Sequence, residues 1–248
     1  RGYGRMSSGE VVVNDGKKTC VEVNKSGDES QMLSLILKNI PIIIGNKISA
    51  CKLQEQKFNS EIILVDDGFQ TFELDRFLDV VLIDLSSNLE DYCLLPSGKL
   101  REPLSSLKRA DILIFTKQNY SSLDAKIIEK KILGLINKKN TLVTYANLAS
   151  AVLKYKNKSF LEVGAKIINE NIVAFAGIGN AYSFRSILKK NFSNIQKTYL
   201  FKDHHSYSDE DIIEIKKNMK KLQSTTIVTT LKDFVKIKND FIQHNIYV

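Results

Sequence analysis

EIILVDDGFQ, residues 61–70, sets four strand-forming residues ahead of two adjacent carboxylates and a glycine. Ile62, Ile63, Leu64 and Val65 read as a buried strand, with Asp66 and Asp67 exposed at its tip. Neighbouring acids repel each other and make poor β residues, so an edge that sets them side by side suits a cation. In an open α/β sheet, ligands sit beyond the carboxyl ends of the strands. An apolar strand ending in Asp also has the form of the element that holds Mg²⁺ on nucleotide phosphates. A solvated acidic turn explains the same residues.

Outward from this stretch, strand-like and helical segments alternate. PIIIG (41–45), a polar helix over 46–57, DVVLID (79–84), DILIF (111–115), a helix over 122–137 and TLVTYA (141–146) predict a parallel sheet with helices on its faces. Upstream, VVVNDGKKTCVEV (11–23) places two β-branched arms around Asp15-Gly16, a hairpin signal. In SGDESQMLSLILKN (26–39), Met32, Leu33, Leu35, Ile36 and Leu37 fit a buried helix. Residues 154–170 carry little pattern and suit a connection or a strand pair. A second α/β series follows: NIVAFAGIGN (171–180), a helix over 181–190, KTYLF (197–201), a helix over 208–221 and STTIVTT (224–230). The expected division is a core domain over 1–150 and a smaller α/β subdomain over 151–248.

The chain of 248 residues, 43% hydrophobic, is long enough for one large core or two small ones. Its three cysteines, Cys20, Cys51 and Cys93, have neither disulfide-framework nor metal-ligand spacing, which suits a reducing compartment. The longest apolar runs fall short of the roughly 18–20 residues a membrane span needs. A net charge of +8 favours anionic partners.

Several short stretches carry candidate chemistry. In SGDES (26–30), Ser26-x-x-Glu29 has the form of a capping box, and a helix start is also where phosphates dock. Asp28 there could accept a proton from an attacking hydroxyl. DHHSY (203–207) holds two of the three histidines, and one could orient such a base. Lys99, Arg101, Lys108 and Arg109, in LLPSGKLREPLSSLKRAD (94–111), suit phosphate binding or a solvated basic face equally. GIGN (177–180) is a Gly-rich turn after a buried strand, short of a dinucleotide fingerprint. No G-x-x-x-x-G-K-[ST] occurs in the chain.

In order along the chain, RGYGR (1–5), SGDES, PIIIG, ILVDDGFQ (63–70), residues 94–111, AGIGN (176–180), DHHSY and TTLKD (229–233) resemble the tetraacyldisaccharide 4′-kinases, the lipid A 4′-kinases of Gram-negative bacteria. The resemblance implies an α/β, P-loop NTPase-like fold: a mostly parallel sheet flanked by helices, with a second smaller α/β subdomain. It implies ATP-dependent phosphorylation of the 4′-hydroxyl of a tetraacyldisaccharide 1-phosphate. The enzyme would sit peripherally on the cytoplasmic face of the inner membrane, with no nucleic-acid or protein partner. The family's P-loop is expected upstream of Arg1, and the chain on its own is expected to be inactive.

Carried over residue by residue, the resemblance implies Asp66 and Asp67 at Mg²⁺ and Asp28 as base, with His204 orienting it. Glu29, Gln70, Gly177 and Gly179 fall near the nucleotide, and Arg1, Tyr3, Arg5 and Arg101 near the disaccharide. The chain departs from the family pattern at Thr71 (usually His), Ala181 (usually Pro) and Leu231 (usually Glu). Two rival readings are a P-loop-type kinase or synthetase for a soluble phosphorylated substrate and a non-catalytic module that binds anionic lipid or nucleic acid.

Overall fold

The Asx bonds of a tight turn fix the start of the fold. Asn14 Oδ1 accepts from Gly16 N–H at 2.8 Å, and Asp15 Oδ1 accepts from the N–H groups of Lys17 and Lys18 at 2.8 and 2.9 Å. The computed structural model describes residues 5–136, 140–149, 151–157, 159–163, 169–179 and 181–248. Before the turn runs β1 (Val11–Asp15); after it the expected hairpin closes over one antiparallel bridge only, Asn14 to Thr19, with Cys20 N–H donating to Val13 O at 2.8 Å, and α1 (Val23–Ser26) replaces the rest of its second arm. Past that bridge the Val21 carbonyl accepts from Gln31 Nε2 at 2.6 Å. Helix α2 (Asp28–Ile36) follows, and β1 pairs antiparallel with β2 (Pro41–Ile44). Helix α3 (Lys47–Phe58) is capped by Asn46, whose side chain accepts from the N–H groups of Ile48 and Ser49.

Helix α2 turns its polar side inward. Asp28, Ser30, Gln31 and Ser34 are buried, while Leu33 and Ile36 are 37% and 47% exposed. The buried groups are satisfied locally: Asn14 Nδ2 donates to Ser34 Oγ at 3.0 Å, and Gln31 Nε2 to Ser26 Oγ at 2.9 Å. The expected apolar burial of α2 holds only in part: Leu35 packs against an apolar core, while hydrogen bonds offset the cost of burying the polar face.

Two compact units form, one from Arg1–Leu64 with Ser150–Val248 and the other from Val65–Ala149. In the second, β3 (Val80–Asp84), β4 (Ile112–Thr116) and β5 (Leu142–Tyr145) make a parallel sheet in that order, with α4 (Ala125–Leu133) in the β4–β5 crossover. Ile83, Leu85, Leu113 and Phe115 pack with Leu107, Ile128 and Ile132 in its core. Residues 61–65, read as a strand, are not one; Ile62 and Leu64 are 79% and 93% exposed. Among the described residues no backbone hydrogen bond engages this run, and an extended segment without a partner is not a stable strand.

In the first unit, β6 (Val152–Lys156) and β7 (Ser159–Val163) form an antiparallel pair. They are followed by β8 (Ile172–Gly177), α5 (Ala181–Asn191), β9 (Ile195–Phe201), α6 (Asp209–Lys221), β10 (Thr226–Val228), α7 (Leu231–Ile237) and β11 (Asn245–Tyr247). The sheet order is β7-β6-β11-β10-β8-β9, with β11, β10, β8 and β9 mutually parallel. Strand β8 is buried along its whole length, as a strand covered on both faces must be. Val173 and Phe175 meet Ile215 of α6 and Phe234 of α7; Ile172, Ala174 and Ala176 meet Phe184 and Leu188 of α5.

This partition differs from the 1–150 and 151–248 division. The N-terminal segment belongs with the C-terminal series because α2 packs on α7, with Leu35 against the core that contains Phe234.

Candidate active site

Strands β8, β9 and β10 end side by side, and their carboxyl ends gather the polar residues of the first unit. At the end of β8, Gly177 has no room for a side chain: a Cβ there would meet Asp233 Oδ1, His205 Cβ and Lys202 O, each at 3.1 Å. Gly177 N–H donates to Asp233 Oδ2 at 2.9 Å. The amide expected to face a nucleotide is thus taken by the protein's own carboxylate. Gly179 is exposed, and a Cβ there would meet Asp203 Oδ2 at 3.4 Å.

After β9 the chain turns through DHHSY, with His204 in the left-handed region at φ 57°. Its N–H donates to Asp203 Oδ1 at 3.0 Å. The turn sends the two histidines to different tasks. His205 stacks on Phe201 at 4.4 Å and binds Asp211 Oδ2 through Nε2 at 2.9 Å. Asp211 in turn closes the capping box of α6 with Ser208. The Ser208 backbone N–H, and after it His205, hold the Asp211 carboxyl below the usual carboxylate range. Burial, and secondarily the nearby Asp233 carboxylate, pushes the Tyr207 hydroxyl well above its ordinary value.

His204 instead reaches Asp28, with Nδ1 3.0 Å from Asp28 Oδ2. Asp28 is 6% exposed and opens α2. The helix's N-cap is Gly27, at φ 84°, and no side chain caps it, so the Ser26–Glu29 capping box does not form. Ser26 Oγ donates backward to Glu22 O at 3.1 Å, within α1. A left-handed turn without a Cβ penalty brings α1 and α2 together at Gly27. Asp28 Oδ1 accepts from Glu29 N–H at 3.0 Å, and the Glu29 side chain is exposed.

Helix α7 brings residues to which the sequence reading gave no role, two of them, Lys232 and Asp233, within the TTLKD stretch. Lys236 Nζ lies 3.2 Å from Asp28 Oδ2, 3.5 Å from Asp233 Oδ1 and 3.0 Å from the His205 carbonyl. Lys232 Nζ lies 3.0 Å from His204 Nε2 and 2.9 Å from Asp203 Oδ1. The Lys232 hydrogen bond holds the Asp203 carboxyl below its usual range. Asp233, fully buried, also accepts from Thr230 Oγ1 at 2.6 Å. Two lysines four apart behind a Thr cap were the available signal, since that spacing puts both on one helix face. Leu231, where the family usually has Glu, packs into the apolar core.

The second unit holds the acidic pair. Asp66 and Asp67 occupy a turn, Asp67 at φ 53°, a conformation that aspartate tolerates. Asp67 is gripped at both oxygens by Arg101, through Nη1 at 2.9 Å and through Nη2. That bond raises the Arg101 pKa. Asp66 is exposed and makes no hydrogen bond or ion pair among the described residues. The two acids expected to act alike are therefore unlike, and Arg101 is spent on Asp67. Gln70 Nε2 donates to Glu102 at 2.9 Å, and Arg109 binds Glu102 while lying over Phe69 at 4.4 Å. Among the described residues no group of three or more His, Cys, Asp or Glu is placed to hold a metal. Arg1 and Tyr3 lie outside the described residues. Arg5 is half-buried, with Nη1 buried and without a hydrogen-bond partner there.

A parallel α/β sheet with an acid, a histidine and two lysines gathered at its carboxyl edge defines an α/β enzyme. The family described as LpxK, tetraacyldisaccharide-1-P 4′-kinase, matches residues 1–248, and the chain belongs to it. Tetraacyldisaccharide 4′-kinase of Halothermothrix orenii is 35% identical, over 99% of this chain and 68% of that protein. The protein of the same name from Aquifex aeolicus is 29% identical, over 97% and 74%. The crystal structure of the Aquifex aeolicus "apo" form LpxK in complex with ATP superposes with a TM-score of 0.68 at 24% identity, over all of this chain and 70% of that one. At that identity the likeness speaks for the fold.

Proposed function

We infer that this chain carries the activity of its family, ATP-dependent phosphorylation of a tetraacyldisaccharide 1-phosphate at the 4′ position. The match of the family over residues 1–248 carries the inference. In the reaction, the 4′-oxygen bonds to the γ-phosphorus, the bond from that phosphorus to ADP breaks, and the hydroxyl proton goes to a base. Such a transfer asks mainly for positioning and neutralisation of charge.

Asp28 is our candidate for that base. Its Oδ2 is held by His204 and Lys236, and its Oδ1 meets only the Glu29 N–H among the described groups, which leaves an acceptor position for the sugar hydroxyl. His204 orients the carboxylate. Glu29, exposed beside it, and Gln70 remain candidates for the nucleotide side. Arg5, with its unsatisfied guanidinium nitrogen, suits a phosphate of the disaccharide.

Magnesium takes hard oxygen ligands, commonly one or two carboxylates with substrate phosphates and water. Asp66 fits that description best, because Asp67 already has a counter-charge in Arg101. The ion, when bound, would neutralise charge on the transferring phosphoryl group. The lipid acceptor and the net charge of +8 support work at an anionic membrane surface, which we place on the cytoplasmic face of the inner membrane.

The direct test uses the protein expressed from its own gene, with labelled ATP and tetraacyldisaccharide 1-phosphate. Label is expected at the 4′ position. Label transfer confined to a water-soluble phosphorylated acceptor would overturn the assignment.

A further inference from the structure

Two lysines of α7 touch the Asp28–His204 pair from opposite sides. We propose that Lys232 and Lys236 are positioning residues for that pair: Lys232 holds His204 in the tautomer protonated at Nδ1, and Lys236 fixes the Asp28 carboxylate. The proposal rests on the reading of Asp28 as the base.

A lysine ammonium only donates hydrogen bonds. With Lys232 Nζ 3.0 Å from His204 Nε2, that nitrogen must accept, and the ring proton sits on Nδ1. Nδ1–H then donates to Asp28 Oδ2 at 3.0 Å. The other tautomer would set two donors against each other at Nε2 and a lone pair against the carboxylate at Nδ1. Asp203 Oδ1, 2.9 Å from the same ammonium, holds Lys232 in place.

Lys236 is anchored by the His205 carbonyl and by buried Asp233. From there it supplies the counter-charge that a carboxylate as buried as Asp28 requires. With two donors on Oδ2 and the Glu29 N–H on Oδ1, the carboxylate cannot rotate without losing a bond. The pair Lys232–Asp203 could instead be a half-exposed ion pair of little consequence, and the measurements below separate the two.

With the protein expressed from its own gene and labelled with ¹⁵N at histidine, NMR reads the tautomer directly. Wild-type His204 is expected to be protonated at Nδ1, and Lys232→Met to move it toward the Nε2–H form. A partner that acts through the base loses less than the base itself, so kcat should fall about ten- to a hundredfold. The KM for ATP should stay within about twofold, as expected for a group acting on the chemical step. Lys232→Arg, also a pure donor, should restore most of kcat. Lys236→Met should lower kcat with the His204 tautomer kept; if it fails to fold, Lys236→Gln, which keeps a polar side chain without the charge, should show the same loss.

Wild-type His204 protonated at Nε2, or Lys232→Met with tautomer and kcat unchanged, would overturn the role of Lys232. Parental kcat in the Lys236 variants would overturn that of Lys236. Asp28→Asn with parental kcat overturns the base reading instead, and the tautomer measurement still decides the role of Lys232.

Discussion

Adjacent residues of one chemical type end up in different electrostatic settings here. Asp66 faces solvent, while Asp67 is neutralised by Arg101; His204 meets Asp28, while His205 serves the capping box of α6. Nothing in DDGFQ or DHHSY distinguishes the members of each pair, because the distinction comes from residues up to 176 positions away. Asp28 was legible as a candidate, but its neighbours on α7 were not. The Asp66–Asp67 contrast can be tested. If Asp66 binds Mg²⁺, Asp66→Asn should raise the Mg²⁺ concentration for half-maximal rate by at least about tenfold, since even outer-shell metal partners cost that much. Asp67→Asn should leave the Mg²⁺ requirement near parental and be mimicked by Arg101→Met. Equal Mg²⁺ shifts in the two Asp variants would restore the view that both carboxylates hold the ion.

Elements were legible where burial and periodicity agree. Strand β8 is covered on both faces and is an unbroken apolar run, and α6 begins at the Ser208 that caps it. They were misread where polar bonding outweighs apolar pattern, as in α2, or where an apolar run has no partner strand, as at 61–65. The α6 cap lends itself to measurement, because Ser208 Oγ accepts from Asp211 N–H and Asp211 accepts from Ser208 N–H. Ser208→Ala should cost about 0.5–2 kcal/mol, read as a lowered melting temperature. The Asp211 carboxyl lies below its unfolded value in the folded protein, so its stabilisation is complete above the unfolded value of about 3.9. It is lost as pH falls through the lower folded value. The Ser208→Ala deficit should therefore be constant near neutrality and shrink only under acid. A deficit that vanishes near neutrality would show that a group other than the cap holds Asp211.

Over the whole molecule, the α/β class followed from alternation along the chain, but the partition into units did not. Sequence proximity joined residues 1–64 to 65–149, whereas α2 and its buried polar face tie them to the C-terminal series. Charge and exposure on this scale bear on how a lipid substrate is met. Among the described residues no helix is long and apolar enough to cross a membrane. We propose that these residues meet lipid at its surface. Two terms are available: the net charge of +8 and the outward apolar side of α2 with its neighbour Ile40, where Leu33, Ile36 and Ile40 are 37%, 47% and 48% exposed. A lysine or arginine near an anionic surface contributes about 1 kcal/mol, and that attraction is screened as the Debye length shrinks from about 10 Å at 0.1 M salt to about 3 Å at 1 M. We therefore expect sedimentation with phosphatidylglycerol vesicles at low salt, most of it released by concentrated salt. The salt-resistant remainder should disappear in Leu33→Ser/Ile36→Ser, because buried apolar area does not respond to screening. Binding to neutral phosphatidylcholine vesicles as strong as to anionic ones would remove charge from the account, and a remainder unchanged in the double variant would remove α2.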